Sequence, residues 1–279
     1  MSLPKCIALF LVAGNTFAAG NGAMFGGGLE GDTDDGFSGS LIGSWGFSEK
    51  TWLSAAVAKS SVELHSGRNL DTLYGDLELD HFFDPVGVRI AAAYWGDSDI
   101  LESRDWRASL YWRGEKAMLS ADYEYRDFEL TTPGTDLSPG RQIMFDADGL
   151  GATLRVDLGE SMDLRLSAMK YDYSVPFRPT QDRDVVDLVS VSRLSLINSL
   201  DDHRASITLG LDRGLKRWEF DVATSEGAVA GARTNSYTLR YLMPMGDKSD
   251  IEIGLGYDDS EAYGEVTFLS LYMFFYGAD

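Results

Sequence analysis

The chain has 279 residues, 44% of them hydrophobic and 12% aromatic, with 44 acidic against 24 basic side chains for a net charge of −20. So acidic a balance argues against a nucleic-acid partner and against a polybasic membrane-surface binder, and the length suits one large all-β domain or two small ones. The single cysteine, Cys6, lies in the N-terminal segment, so the rest of the fold is held by hydrogen bonding and packing without disulfides.

The first segment, MSLPKCIALFLVAGNTFAAG, has a basic residue (Lys5), an apolar run from Cys6 to Ala13 and small residues around Thr16, Ala18 and Ala19. These are the parts of a secretory signal peptide over residues 1–18, cleaved after Ala18 or Ala19, which leaves one domain over 19–279. The run is too short for a membrane-spanning helix. Cys6 directly follows Lys5 and precedes the apolar run, which is the wrong place for a lipoprotein site.

Beyond this point apolar and polar residues alternate with a period of two. The alternation predicts strands at Ala23 to Glu30 (the weakest), Phe37 to Phe47, Trp52 to Val62, Thr72 to Phe83, Val86 to Gly96, Trp106 to Arg113 and Met118 to Leu130. It continues through Ile143 to Leu158, Met162 to Val175, Arg204 to Asp212, Lys216 to Ser225, Ser236 to Met245, Ile251 to Asp258 and Val266 to Tyr276. Most are about ten residues long, the length a tilted strand needs to cross a bilayer.

The connections alternate short and long. SEK (48–50), DP (84–85), GEK (114–116), GES (159–161), GL (214–215) and GDKSD (246–250) are short. Between them lie ELHSGRNLD, DSDILESRD, TTPGTDLSPGRQ, the stretch from Pro176 to His203, and EGAVAGARTN. Short periplasmic turns and longer extracellular loops are the habit of transmembrane barrels, whereas a Greek-key sandwich has no reason to keep such parity. Counting the weak first strand brings both termini to the short-turn side and makes fourteen strands; twelve follow if two weak segments are loops. The irregular stretch Asp184 to Asp202 fits neither period, and a bent extension of neighbouring strands above the membrane is favoured over a short helix folded into the lumen.

Within the strands one parity is apolar and the other charged. In KRWEFDVATS (216–225), Trp218, Phe220 and Val222 alternate with Arg217, Glu219 and Asp221. A soluble sandwich would turn the apolar set inward, but an arginine facing lipid at mid-depth costs about 2–4 kcal/mol, so in a barrel the charged set must face the lumen. The predicted lumen lining is Arg89, Arg107, Arg113, Arg126, Arg155, Arg165, Arg204, Arg217 and Arg240, with Asp76, Glu78, Asp80, Asp122, Glu124, Glu219, Asp221 and Glu252. Aromatic residues near strand ends, among them Trp45, Trp52, Phe82, Phe83, Tyr94, Trp95, Trp106, Trp112, Tyr123, Tyr171, Tyr237, Tyr272 and Tyr276, read as girdles at the two membrane interfaces.

With these features the sequence resembles Gram-negative outer-membrane β-barrels of the porin-like kind, over the whole mature chain. The last strand, VTFLSLYMFFYGAD, is similar to the aromatic-rich C-terminal strand that the barrel-assembly machinery recognises, although it runs on through Gly277, Ala278 and Asp279. The resemblance implies an outer-membrane location, contact with outer-membrane lipid and lipopolysaccharide, assembly by that machinery, small solutes as cargo and no cofactor.

Catalytic options rest on three histidines, His65, His81 and His203. Outer-membrane phospholipases, lipid A deacylases and omptin-like proteases resemble this class, and DDHRAS (201–206) is the best match to their His–Ser or His–Asp pairs. Alternation, however, would turn His203 and Ser206 to opposite faces, and a polar loop histidine is the favoured reading. GDTDDG (31–36) brings Asp32, Asp34 and Asp35 together but lacks the rest of a calcium loop, so an acidic hairpin loop is expected. Gly26 to Gly28 read as a thin strand near barrel closure. Two functions follow from different classes: a porin-like passive channel, or a closed structural or surface-interaction barrel whose charges pair across the lumen. A lipid hydrolase is the third. Whether arginines and acids segregate or neutralise one another separates the first two.

Overall fold

A computed structural model describes residues 22–63, 69–97, 101–132, 141–174, 200–228 and 231–277. The predicted signal peptide, His65 and residues 184–199 of the irregular stretch lie outside them. Fourteen strands follow in order: β1 (Ala23–Asp32), β2 (Phe37–Ser48), β3 (Thr51–Glu63), β4 (Asn69–Phe82), β5 (Val86–Asp97), β6 (Leu101–Arg113) and β7 (Ala117–Thr132). The second half is β8 (Arg141–Asp157), β9 (Met162–Tyr173), β10 (Asp201–Arg213), β11 (Lys216–Gly227), β12 (Arg233–Gly246), β13 (Ser249–Ser260) and β14 (Gly264–Tyr276).

Each strand pairs antiparallel with the next, and β1 pairs with β14, so the sheet closes into a barrel without edges. This excludes twelve strands. The weakest predicted strand is the one that closes the barrel, and its glycines show why it reads weakly. A Cβ on Gly28 would come within 2.2 Å of the Tyr272 ring, and one on Gly26 within 2.9 Å of Phe274, so bare backbone on β1 lets the aromatic rings of β14 lie across it.

The predicted short turns are all present, but the opposite connections are shorter than the alternation implied. β4 begins at Asn69 and not Thr72, β6 at Leu101 and not Trp106, and β12 at Arg233 and not Ser236. Above the lipid both faces of a strand are polar, so the alternation fades while the backbone ladder continues.

The apolar parity faces outward. Leu209, Phe220, Leu239, Leu255 and Leu269 are direct cross-strand neighbours on consecutive strands and form one belt, with Leu255 52% and Leu269 54% exposed. On the short-turn side of the belt Trp218 packs on Tyr241 at 4.2 Å, and on the other side Tyr237 stacks with Tyr257 at 6.4 Å. So much contiguous exposed apolar surface is a lipid-facing surface. Trp218, Phe220 and Val222 lie on it, while Glu219 points inside and is 6% exposed.

The predicted girdles need correction. Trp45, Trp106, Trp112, Tyr123 and Tyr237 do face outward, but Trp52, Phe82, Trp95, Tyr171, Tyr272 and Tyr276 have the inward parity. Trp95, Tyr171 and Tyr272 are 6%, 2% and 6% exposed. These rings thicken the inner wall, and those of Phe82, Trp95 and Tyr171 lie against arginines, a use of aromatic surface that a strand-end position does not distinguish from a girdle.

Candidate channel lumen

Three groups of charged side chains stand on the inner face. The first joins β4, β5 and β6. Arg89 pairs with Glu78 (3.2 Å) and Asp80 (3.0 Å), Arg107 pairs with Asp76, and the Tyr111 hydroxyl donates to Asp80 Oδ1 at 2.6 Å. Arg113 lies over the rings of Phe82 (5.1 Å) and Tyr111 (5.7 Å) near the short-turn mouth.

The second group sits toward the loop end of β5 to β10. Arg126, 4% exposed, has Asp105 at 3.5 Å and Glu124 at 3.7 Å, and its guanidinium lies over Phe128 (4.8 Å), Trp95 (5.2 Å) and Tyr171 (5.5 Å). The carboxylates are held in turn: Trp95 Nε1 donates to Asp105 at 2.9 Å, and the Tyr171 hydroxyl and Arg204 donate to Glu124 at 2.8 and 3.2 Å. A buried arginine is tolerable here because two carboxylates and three aromatic faces replace its water.

The third group belongs to β8 to β12. Arg217 contacts Asp163 (2.6 Å), Asp212 (3.1 Å) and Glu219 (3.4 Å), Arg240 pairs with Glu219, and Arg155 reaches Asp163 at 3.5 Å. Arg165 stands directly opposite Arg155 in the ladder. A Cβ on Gly210 would come within 2.1 Å of Arg217 Nη2, so this glycine leaves the space through which Arg217 reaches Asp163.

All seventeen side chains predicted for the lumen have the inward parity of their strands. Fourteen border an internal cavity of about 1040 Å³, whereas Asp76, Arg217 and Glu219 lie on the inner face away from its border. The cavity is bounded at the short-turn end by Glu49, Lys50 and Glu115 and toward the other end by Asp258 and Tyr263. Serine and threonine supply much of the remaining lining, with Ser38, Ser44, Ser54 and Ser60 on β2 and β3 and Thr234, Ser236 and Thr238 on β12.

The inner face also carries acids that were not predicted as lining: Glu30, Asp105, Asp163, Asp201 and Asp258, each under 10% exposed. Parity could have found Asp105 had β6 been read as starting earlier, but Asp201 has the outward parity of β10 and reaches the inner wall only through the bulge between Asp201 and His203. The count by strand is uneven. Every strand from β5 to β12 turns at least one of the nine arginines inward, together with ten carboxylates. Among the described residues, the inner faces of β13, β14 and β1 to β4 carry no arginine or lysine. They carry eight carboxylates: Asp250, Glu252 and Asp258 on β13, Glu30 and Asp32 on β1, and Asp76, Glu78 and Asp80 on β4. Arginines and acids therefore neutralise one another on neighbouring strands over one arc, and the described inner face as a whole carries more carboxylates than bases.

The histidine pair does not assemble. His203 lies on the outer face with Nδ1 3.0 Å from Asp202 Oδ2, while the Ser206 hydroxyl is inside, 2.8 Å from that of Ser167. His81 is also outside, with Nδ1 2.8 Å from Thr51 Oγ1. In GDTDDG, Asp32 Oδ1 accepts the backbone N–H groups of Asp34 (2.8 Å) and Gly36 (3.2 Å), so the motif forms the acidic hairpin loop between β1 and β2. Among the described residues no three metal-ligating side chains come together.

Closed antiparallel strands, an apolar outer belt and a charged interior define the fold class of Gram-negative outer-membrane β-barrels of the porin and channel type. Solved structures of that class share the fold. The CymD monoaromatic hydrocarbon channel aligns over 93% of this chain and 89% of its own, with a TM-score of 0.58 at 9% identity. The loop-deleted OmpT of Vibrio cholerae aligns over 93% of this chain and 99% of its own (TM-score 0.53, 9% identity), and the Acinetobacter baumannii outer membrane protein Omp33 over 91% and 97% (0.52, 9%). No protein-family model matches the chain, and no curated protein matches it in sequence.

Proposed function

We propose that the protein is a porin-like passive channel of a Gram-negative outer membrane, carrying small polar solutes or ions through its charged lumen. The cavity of about 1040 Å³ carries this reading: it is bordered by side chains from the short-turn mouth to the loop end, and its walls include hydroxyl and charged groups that can replace part of an ion's hydration. The reading entails export behind a cleaved signal peptide over residues 1–18, assembly into the outer membrane by the barrel-assembly machinery, and contact with lipid and lipopolysaccharide on the apolar belt.

The test is single-channel recording of refolded protein in a planar bilayer. Stable conductance steps above the lipid background are expected; a folded, inserted but silent barrel refutes the channel. The ion pairs within the arginine arc favour the second reading, a closed structural or surface-interaction barrel, and silence would be its expected result.

A further inference from the structure

We infer that the lumen prefers cations, and that the preference comes from three cavity-bordering carboxylates, those of Asp122, Asp221 and Glu252. The inference rests on the channel reading above and adds the charge class of the solute. Among the described side chains, nine inward arginines are matched by ten carboxylates on β5 to β12, while the inner faces of the other six strands add eight carboxylates and no base. The inner face of the described residues is therefore net negative.

Position sharpens the point. Asp122, Asp221 and Glu252 border the cavity, and none of them has an arginine within ion-pair distance. Asp122 receives hydrogen bonds from Ser120 (3.0 Å) and Thr153 (3.1 Å), and Asp221 one from Thr208 at 3.5 Å. Hydroxyl donors orient these groups without cancelling their charge. Most of the arginines, by contrast, are tied to carboxylates: Arg89, Arg107, Arg126, Arg155, Arg204, Arg217 and Arg240 each make at least one ion pair. Arg113 and Arg165 are the counterweight, cavity-bordering arginines with no ion pair among the described residues. Three open acids against two open arginines, on an inner face that is net negative, leave an excess of field that favours cations.

The experiment is the reversal potential of the full-length mature protein in a planar bilayer under a potassium chloride gradient at neutral pH. The wild type should carry potassium in preference to chloride. Glu252→Gln, Asp221→Asn and Asp122→Asn should each lower the permeability ratio by about twofold, the effect of one charge roughly 8 Å from a permeating ion in water at moderate salt. Arg165→Gln should raise it. Heat-shifted gel migration confirms that each variant is folded. A conducting wild type that prefers chloride or discriminates between neither ion overturns the inference and leaves the channel standing, as does a ratio that the triple acid variant does not move. A folded but silent barrel overturns both.

Discussion

Placing one arginine on either side of the barrel wall tests which face meets lipid. Leu255 on β13 is 52% exposed on the outer belt, between Leu239 and Leu269 of the neighbouring strands. Thr238 on β12 borders the cavity and stands opposite Asp221 in the ladder. Leu255→Arg puts a guanidinium into hydrocarbon and should cost about 2–4 kcal/mol, a drop of roughly thirty- to several-hundredfold in the folded-to-unfolded ratio. Thr238→Arg brings the same side chain next to an acid that lacks a basic partner, so its effect should stay within about 1 kcal/mol of wild type. Urea titration in lipid vesicles, read by the migration difference between unheated and heated samples, gives both numbers. Equal costs, or a larger cost for Thr238→Arg, would refute the assignment of the faces and every statement about the lumen that depends on it.

Three further outcomes are expected. Arg126→Met removes the base that two nearly buried acids, Asp105 and Glu124, share, and should destabilise the barrel by about 3–5 kcal/mol in the same titration; a loss under about 1 kcal/mol would mean that the group is not a neutralised unit. Gly28→Ala drives a methyl into the Tyr272 ring at the closing seam and should cost about 1–3 kcal/mol, with Tyr272→Ser in the double variant recovering most of it; strict additivity would refute the contact. Carboxylates as a class lose their charge in strong acid while arginines keep theirs. The lumen then turns positive, so the ratio of potassium to chloride permeability should fall with pH and invert, and a ratio unchanged at pH 3 would contradict the proposed source of selectivity.

Alternation in the sequence determined much of this molecule: the number of strands once the glycine-rich first one is counted, the parity of the connections, and the inward direction of Arg89, Glu219 and the other charged side chains. These follow from local geometry, because a strand turns successive side chains to opposite faces whatever it pairs with. Strand ends were legible only where the membrane imposes a contrast between faces, so Asp105 and Asp201 were read as loop residues although they stand on the inner wall. The tertiary structure alone decided what depends on neighbours across the sheet. Trp95 and Tyr171 look like girdle residues in sequence and become the aromatic walls around Arg126; Arg217 alternates correctly yet is drawn away from the cavity by Asp163, 54 positions earlier in the chain. The confinement of the described inward arginines to eight adjacent strands likewise acquires meaning only on closure, when β14 meets β1 and the acids of β13 and β1 come to the same side of the lumen. Periodicity fixes a side chain's face, but its partners and the field it contributes are set by register and barrel closure, which bring distant strands around one lumen.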